Sequence, residues 1–186
     1  MFKKSKVGFL SLVTIFIISF CLAGFMTPLL KMIYPVKYSD EIEKYSQMYS
    51  LDKYFVMGMI SAESGFDENA HSHKDAQGLM QLTQETAAWC IDEFSLGIDK
   101  QDTGKAEQNI HIGCAYIDYL IERYDGNMLT AAAAYNAGPG NVDKWLSDTR
   151  YSEGKTTLKK IPFAETAEYV KKVQKRAKIY NKLYSD

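Results

Sequence analysis

The chain has 186 residues, 46% of them hydrophobic and 24% charged, with a formal net charge of −1. That balance fits one globular domain plus a short appendage and excludes an intrinsically disordered chain. It also argues against nucleic acid as a partner, because neutralising phosphates takes a clustered basic surface.

At the N-terminus, Lys3, Lys4 and Lys6 precede an uncharged run at 7–26. A run of that length can cross a bilayer as a helix. Basic residues before it keep that end in the cytoplasm. The expected layout is a cytoplasmic basic tail at 1–6, a transmembrane signal anchor at 7–26, a linker at 27–39 and an extracytoplasmic domain at 40–186. A cleaved signal peptide is the alternative, but the run is long for one and lacks a small-x-small cleavage site. A lipoprotein anchor at Cys21 is disfavoured by Phe20, where that pattern wants a small residue. All three readings export the domain. Pro28 and Pro35 punctuate the linker.

The remainder reads as helices. A short one covers about 40–49. Asp52 is placed to N-cap the next, which runs to about Ser64 and stops at Gly65. A third covers about 83–94. From about 106 to 124, Ile110, Gly113, Ile117, Leu120, Ile121 and Tyr124 recur at offsets of three and four, an amphipathic pattern. Another helix runs from about 128 to 136, and its alanines at 131–134 let neighbours approach closely. Gly138 and Pro139 end it. The last, about 164–183, carries Val170, Val173, Ala177 and Tyr180 on one face. No alternation marks a buried strand, although small hairpins near 66–80 or 147–161 stay open. The expected fold is all-α, built of short helices. Cys90 and Cys114 are either a disulfide, if the domain is exported, or two buried thiols.

One carboxylate is out of place. On the helix after Asp52, Val56, Met59 and Ile60 form the apolar stripe, and Glu63 falls between Met59 and Ile60. It also sits in the last turn, near the negative end of the helix dipole. Both effects favour the protonated acid and raise its pKa, and such an acid can give a proton to a leaving oxygen near neutral pH. The competing reading is an ordinary solvated carboxylate at a helix end.

The stretch Glu63-Ser64-Gly65-Phe66 resembles the opening catalytic motif of the lytic transglycosylase family with an SLT domain, whose lysozyme-like fold is related to goose-type lysozyme. Gly78-Leu79-Met80-Gln81 and Ala134-Tyr135-Asn136-Ala137-Gly138 resemble its next two motifs. Ile161-Pro162, Glu165-Thr166 and Tyr169-Val170 resemble the closing one. Asn109-Ile110, Gly113 and Tyr119-Leu120 resemble one of its helices. Together these cover about 40–184, and several short motifs in order are specific where one alone is weak. Two departures, Thr83-Gln84 where methionine-proline is usual and Asp75 where glycine is common, bear on substrate preference more than on chemistry.

The resemblance implies a compact, multi-helix lysozyme-like catalytic domain that cleaves the MurNAc-GlcNAc bond of peptidoglycan without water, leaving 1,6-anhydro ends. It implies Glu63 as the single acid and base, where ordinary glycosidases use two carboxylates. Ser64 would orient groups near the site, or simply cap the helix end. Met80 and Gln81 would line the sugar groove, with Gln81 donating to an N-acetyl group; core packing is an equal reading of Met80. Tyr135 would stack or hydrogen-bond near Glu63, or be a buried tyrosine with a satisfied hydroxyl. Asn136 would face the cleft, and Glu165 would contact the groove while suiting a helix N-terminus. The implied partners are peptidoglycan glycan strands and, through the N-terminal helix, the cytoplasmic membrane, with an envelope-spanning assembly left open. No cofactor is expected. His71 and His73 lack further ligands nearby, so no metal is expected either. The rivals are a muramidase on the same fold, with Asp67 and Glu68 close in sequence to Glu63, and a non-catalytic, membrane-tethered glycan-binding or assembly protein.

Overall fold

The computed structural model describes residues 26–185. The chain divides into two units, 1–35 and 36–186. In the first, residues 26–33 are helical, so part of the stretch expected as linker is helix. Among the described residues no helix is long and apolar enough to cross a membrane. The expected spanning run at 7–26 lies, apart from Met26, outside them, as do the basic tail and Cys21.

The second unit runs α1 (Ser39–Met48), α2 (Lys53–Glu63), β1 (Ala76–Gln77), β2 (Leu82–Thr83), α3 (Gln84–Glu93), α4 (Ala106–Arg123), α5 (Met128–Ala137), α6 (Pro139–Leu146), β3 (Ser152–Glu153), β4 (Thr157–Leu158) and α7 (Ala164–Tyr184). The all-α expectation is corrected only where the sequence leaves small hairpins open, near 66–80 and at 147–161: minimal antiparallel pairs join Ala76 to Thr83 and Ser152 to Leu158. Two-residue strands carry too little alternation to be read from sequence. A second correction is α6. Gly138 and Pro139 do end α5, but Gly138, at φ 83°, caps both helices and Pro139 opens the next at its first position. Proline suits that place because its missing N–H would have no helical partner there.

Caps set the local boundaries. The Asp52 carboxylate accepts the Tyr54 N–H at the start of α2, and the Asn127 side chain does the same for Thr130 at the start of α5. Helix α2 is not one-sided, as expected from its stripe, but central: every residue from Phe55 to Ala62 is buried. It packs along α7. A Cβ on Gly58 would lie 2.8 Å from the Ala177 nitrogen and 2.9 Å from the Val173 oxygen, so only glycine allows this approach. The alanines at 131–134 of α5 are fully buried against α4 and α7. Cys90 and Cys114 are free and buried. Burial pushes the Cys90 thiol up to about 12.

Candidate active site

Glu63 is the last residue of α2, followed by Ser64 as the C-cap. The chain then reverses through two left-handed residues, Gly65 at φ 64° and Phe66 at φ 67°. That conformation strains a bulky residue. It is held because the Phe66 ring is buried, edge-on to Tyr180 at 5.9 Å. Ser64 fastens the reversal: its hydroxyl reaches the Leu79 oxygen at 2.9 Å and the Ile60 oxygen at 3.2 Å, and accepts the Phe66 N–H. The reversal leaves the Glu63 side chain at the floor of a cleft.

Residues 78–81 form the second wall, and Asn109 of α4 shapes it from behind. This fully buried side chain accepts the Met80 N–H at 2.7 Å and donates to the carbonyls of Gln77 at 3.1 Å and Thr103 at 3.0 Å. Met80 is fully buried, and its thioether occupies the space that a side chain at Gly113 would take. Its carbonyl accepts a 2.9 Å hydrogen bond from the Tyr135 hydroxyl, tying α5 to this loop. Gln81, at φ 49°, donates its amide to the carbonyls of Ala70 and Gly78, both at 3.0 Å. Its side-chain donors are therefore engaged, and what remains for a ligand is the amide oxygen.

The cleft, of about 390 Å³, is lined by Glu63, Gln81, Tyr135, Asn136 and Glu165, and also by His73, Lys74, Thr86 and Tyr116. Five of the seven residues singled out from the sequence thus meet around one space. Ser64 and Met80 do not line it; they hold the walls. Asn136 is oriented by a 2.8 Å hydrogen bond from the Thr166 hydroxyl to its side-chain oxygen. Glu165 is 75% exposed at the start of α7, with Lys74 at 3.8 Å. Asp67 and Glu68 are exposed and lie outside the cleft lining. Among the described residues no three His, Cys, Asp or Glu side chains converge on a metal position.

The environment of Glu63 decides its chemistry. Burial raises its pKa to about 7, against smaller lowering effects from the Tyr169 hydroxyl and the Lys172 charge. Burial of a carboxyl favours its neutral form because the ion loses its hydration. Two residues here were not singled out from the sequence. The Tyr169 hydroxyl is buried facing the carboxyl and, by geometry, closes no hydrogen bond of its own. Lys172 donates a 2.6 Å hydrogen bond to the Ala62 carbonyl, at the negative end of α2. Tyr169 stood in the closing motif and could have been found there; Lys172 had no signal beyond its place on α7.

Comparison with known proteins agrees with this arrangement. The family model described as transglycosylase SLT domain matches residues 40–158. The chain is 33% identical over 156 residues to the soluble lytic murein transglycosylase of Salmonella typhimurium, covering 82% of this chain and 24% of that protein. It is 28% identical over 175 residues to the membrane-bound lytic murein transglycosylase C of Edwardsiella ictaluri, covering 79% of this chain and 47% of that one. It superposes on the crystal structure of an inactive mutant of lytic transglycosylase Slt from Pseudomonas aeruginosa with a TM-score of 0.75 and 32% identity, over 82% of this chain and 25% of the other. The chain spans about a quarter of the length of the first of these relatives. Sequence motifs, cleft and fold agree, and the chain belongs to the transglycosylase SLT domain family.

Proposed function

We propose that the protein is a peptidoglycan lytic transglycosylase in which Glu63 serves as both acid and base. The observation that carries this reading is a desolvated carboxyl, with its pKa raised to about 7, at the floor of a polar cleft. At neutral pH a large share of such a group holds its proton, as a general acid must.

The protonated Glu63 gives its proton to the oxygen bridging N-acetylmuramic acid and N-acetylglucosamine. The bond from that oxygen to the muramoyl anomeric carbon breaks, and the glucosamine-bearing portion leaves with a hydroxyl. The muramoyl N-acetyl oxygen stabilises the cationic carbon. Glu63, now ionised, takes the proton of the sugar's own 6-hydroxyl, whose oxygen bonds to the anomeric carbon. The 1,6-anhydro end is formed, Glu63 is protonated again and no water is consumed. A tethered hydroxyl has a high effective concentration and competes well with water.

Gln81, Asn136 and Glu165 are proposed as substrate contacts, with the amide oxygen of Gln81 rather than its engaged donors facing the sugar. Tyr135 and Tyr169 hold polar hydroxyls near the reacting carboxyl. Ser64 and Met80 support the site from behind. The catalytic domain at 40–186 is proposed to act on the cell-wall side of the cytoplasmic membrane, tethered by a single pass at 7–26 after a basic tail at 1–6, with 27–39 as a connection. Service to an envelope-spanning assembly fits that placement.

A hydrolytic second reading has one observation in its favour: Glu165 is another carboxylate lining the cleft. Its open position beside Lys74 leaves it solvated and poorly placed to hold a single attacking water. A zymogram in a peptidoglycan gel tests the proposal. The wild-type chain clears the gel and Glu63→Gln does not; equal clearing by both refutes the role of Glu63, and clearing by neither supports the non-catalytic alternative.

A further inference from the structure

Helix α7 sorts its charge by face. From Tyr169 to Ser185 the sequence holds Lys171, Lys172, Lys175, Arg176, Lys178 and Lys182 and no Asp or Glu. Lys172 and Arg176 turn onto α2, where they donate to the Ala62 carbonyl at 2.6 Å and the Ser61 hydroxyl at 2.8 Å. The other four lysines share the face opposite Tyr169, Val173 and Tyr180, which are buried. They line a recess of about 400 Å³ with Gln174 and Ile179. All four are exposed, and among the described residues every ion pair lies elsewhere.

The fold itself gains nothing from this stripe. Lys171 and Lys175, like Lys178 and Lys182, stand four residues apart, a spacing at which like charges repel along a helix. The helix dipole favours cations only in the last turn, which holds Lys182. The whole chain carries a net charge of −1, so the stripe is a local concentration and not a share of a basic surface. From Lys171 to Lys182 it extends about 17 Å along the helix.

Its place in the domain points to what faces it. The C-terminal end of α7 is fastened beside the start of the domain. The Val36 backbone N–H bonds to the Tyr184 hydroxyl, and the Tyr54 hydroxyl donates to the Tyr184 carbonyl at 3.1 Å. Only residues 27–35 separate Val36 from the uncharged run at 7–26, a length of chain that spans no more than about 35 Å when fully extended. Whatever holds that run is therefore within reach of the lysine end of α7.

We propose that the lysine stripe of α7 docks on the anionic phospholipid headgroups of the membrane that holds the N-terminal run. Lysine suits such a diffuse surface, since it is a flexible point charge and not a fork for one bound group. Its stem can cover Ile179 while the ammonium reaches the headgroups. The proposal rests on the membrane tether proposed above and goes beyond it: a tether alone leaves the domain free to rotate, whereas the stripe turns one face of it to the lipid.

The test uses the full chain reconstituted into vesicles of phosphatidylcholine, alone or with about 30% phosphatidylglycerol, and reads lysine acylation by mass spectrometry. In the anionic vesicles the four lysines should react at least about fivefold more slowly, the factor one lysine contributes at an anionic surface. Their reactivity should recover in about 0.5 M salt, which shortens the Debye length to about 4 Å. Lys100, paired with Asp92, serves as the unchanged reference. Lys175→Gln with Lys182→Gln should weaken docking by about 25-fold and leave Lys171 and Lys178 as reactive as in neutral vesicles. Turnover of soluble glycan fragments by that double variant should match wild type, which confirms its fold. Equal reactivity in both vesicles, or protection that survives the salt, overturns the docking. So does protection by purified peptidoglycan with none from anionic vesicles. Flotation reads the tether separately. A chain that floats with phosphatidylcholine vesicles but shows no differential protection keeps its tether and loses the stripe. One that floats only with the anionic vesicles loses the tether and keeps the stripe, and one that floats with neither loses both.

Discussion

The ammonium group of Lys172 donates a 2.6 Å hydrogen bond to the carbonyl of Ala62, the residue before Glu63. It thus places a positive charge at the end of α2 where the helix dipole and the carboxylate are both negative, and it lowers the Glu63 pKa against the dominant effect of burial. Replacing it with methionine keeps most of the packing and removes the charge. The alkaline limb of the kcat/KM profile, which reports loss of the catalytic proton from the free enzyme, should move to higher pH in Lys172→Met. A pH-rate series on soluble glycan fragments measures this, and an unmoved limb would mean that Lys172 does not tune Glu63.

The raised pKa of Glu63 has a cost in stability with a definite sign. Its ordinary value is 4.5 and the folded value about 7. The folded state therefore binds the proton more tightly than the unfolded one, and the chain loses stability as pH rises from about 4.5 through 7. Glu63→Gln removes the ionisation. It should be no less stable than wild type at pH 4 and more stable at pH 8, by up to about 3 kcal/mol for a shift of this size. Denaturant unfolding at the two pH values checks it.

Asn109 satisfies three backbone groups with one buried side chain. Leaving such groups unpaired costs about 1–3 kcal/mol each. Asn109→Ala should lower the stability by several kcal/mol and loosen the loop that carries Gln81, with activity falling together with the melting temperature.

Gly58→Ala should destabilise the chain by about 1–3 kcal/mol, because the new methyl group meets the backbone of α7 rather than a movable side chain. Since α7 also carries Tyr169 and Lys172, activity should fall even at temperatures where the variant stays folded. Thermal unfolding and turnover measured on the same preparation separate the two effects.

Much of this was legible in the sequence for identifiable reasons. Asp52, the offsets of Ile110, Ile117 and Leu120, and the alanines at 131–134 each report on one element, and the corresponding helices form within a residue or two of the expected limits. Glu63 could be singled out because its helical neighbours are apolar, although α2 turned out to be buried on all sides. What escaped depends on contacts distant in sequence. Helix α6 was hidden behind Gly138-Pro139, a pair that both stops one helix and starts another. The engagement of the Gln81 amide by Ala70 and Gly78 and the reach of Lys172 back to Ala62 are set by tertiary packing, which no periodicity encodes.

Mass spectrometry of purified peptidoglycan digested by the wild-type chain bears most directly on the chemistry assigned to Glu63. Muropeptides ending in 1,6-anhydro-N-acetylmuramic acid, absent from a parallel Glu63→Gln digest, are the predicted result. Products carrying reducing ends, each heavier by one water, or anhydro products undiminished in the variant, would contradict the account.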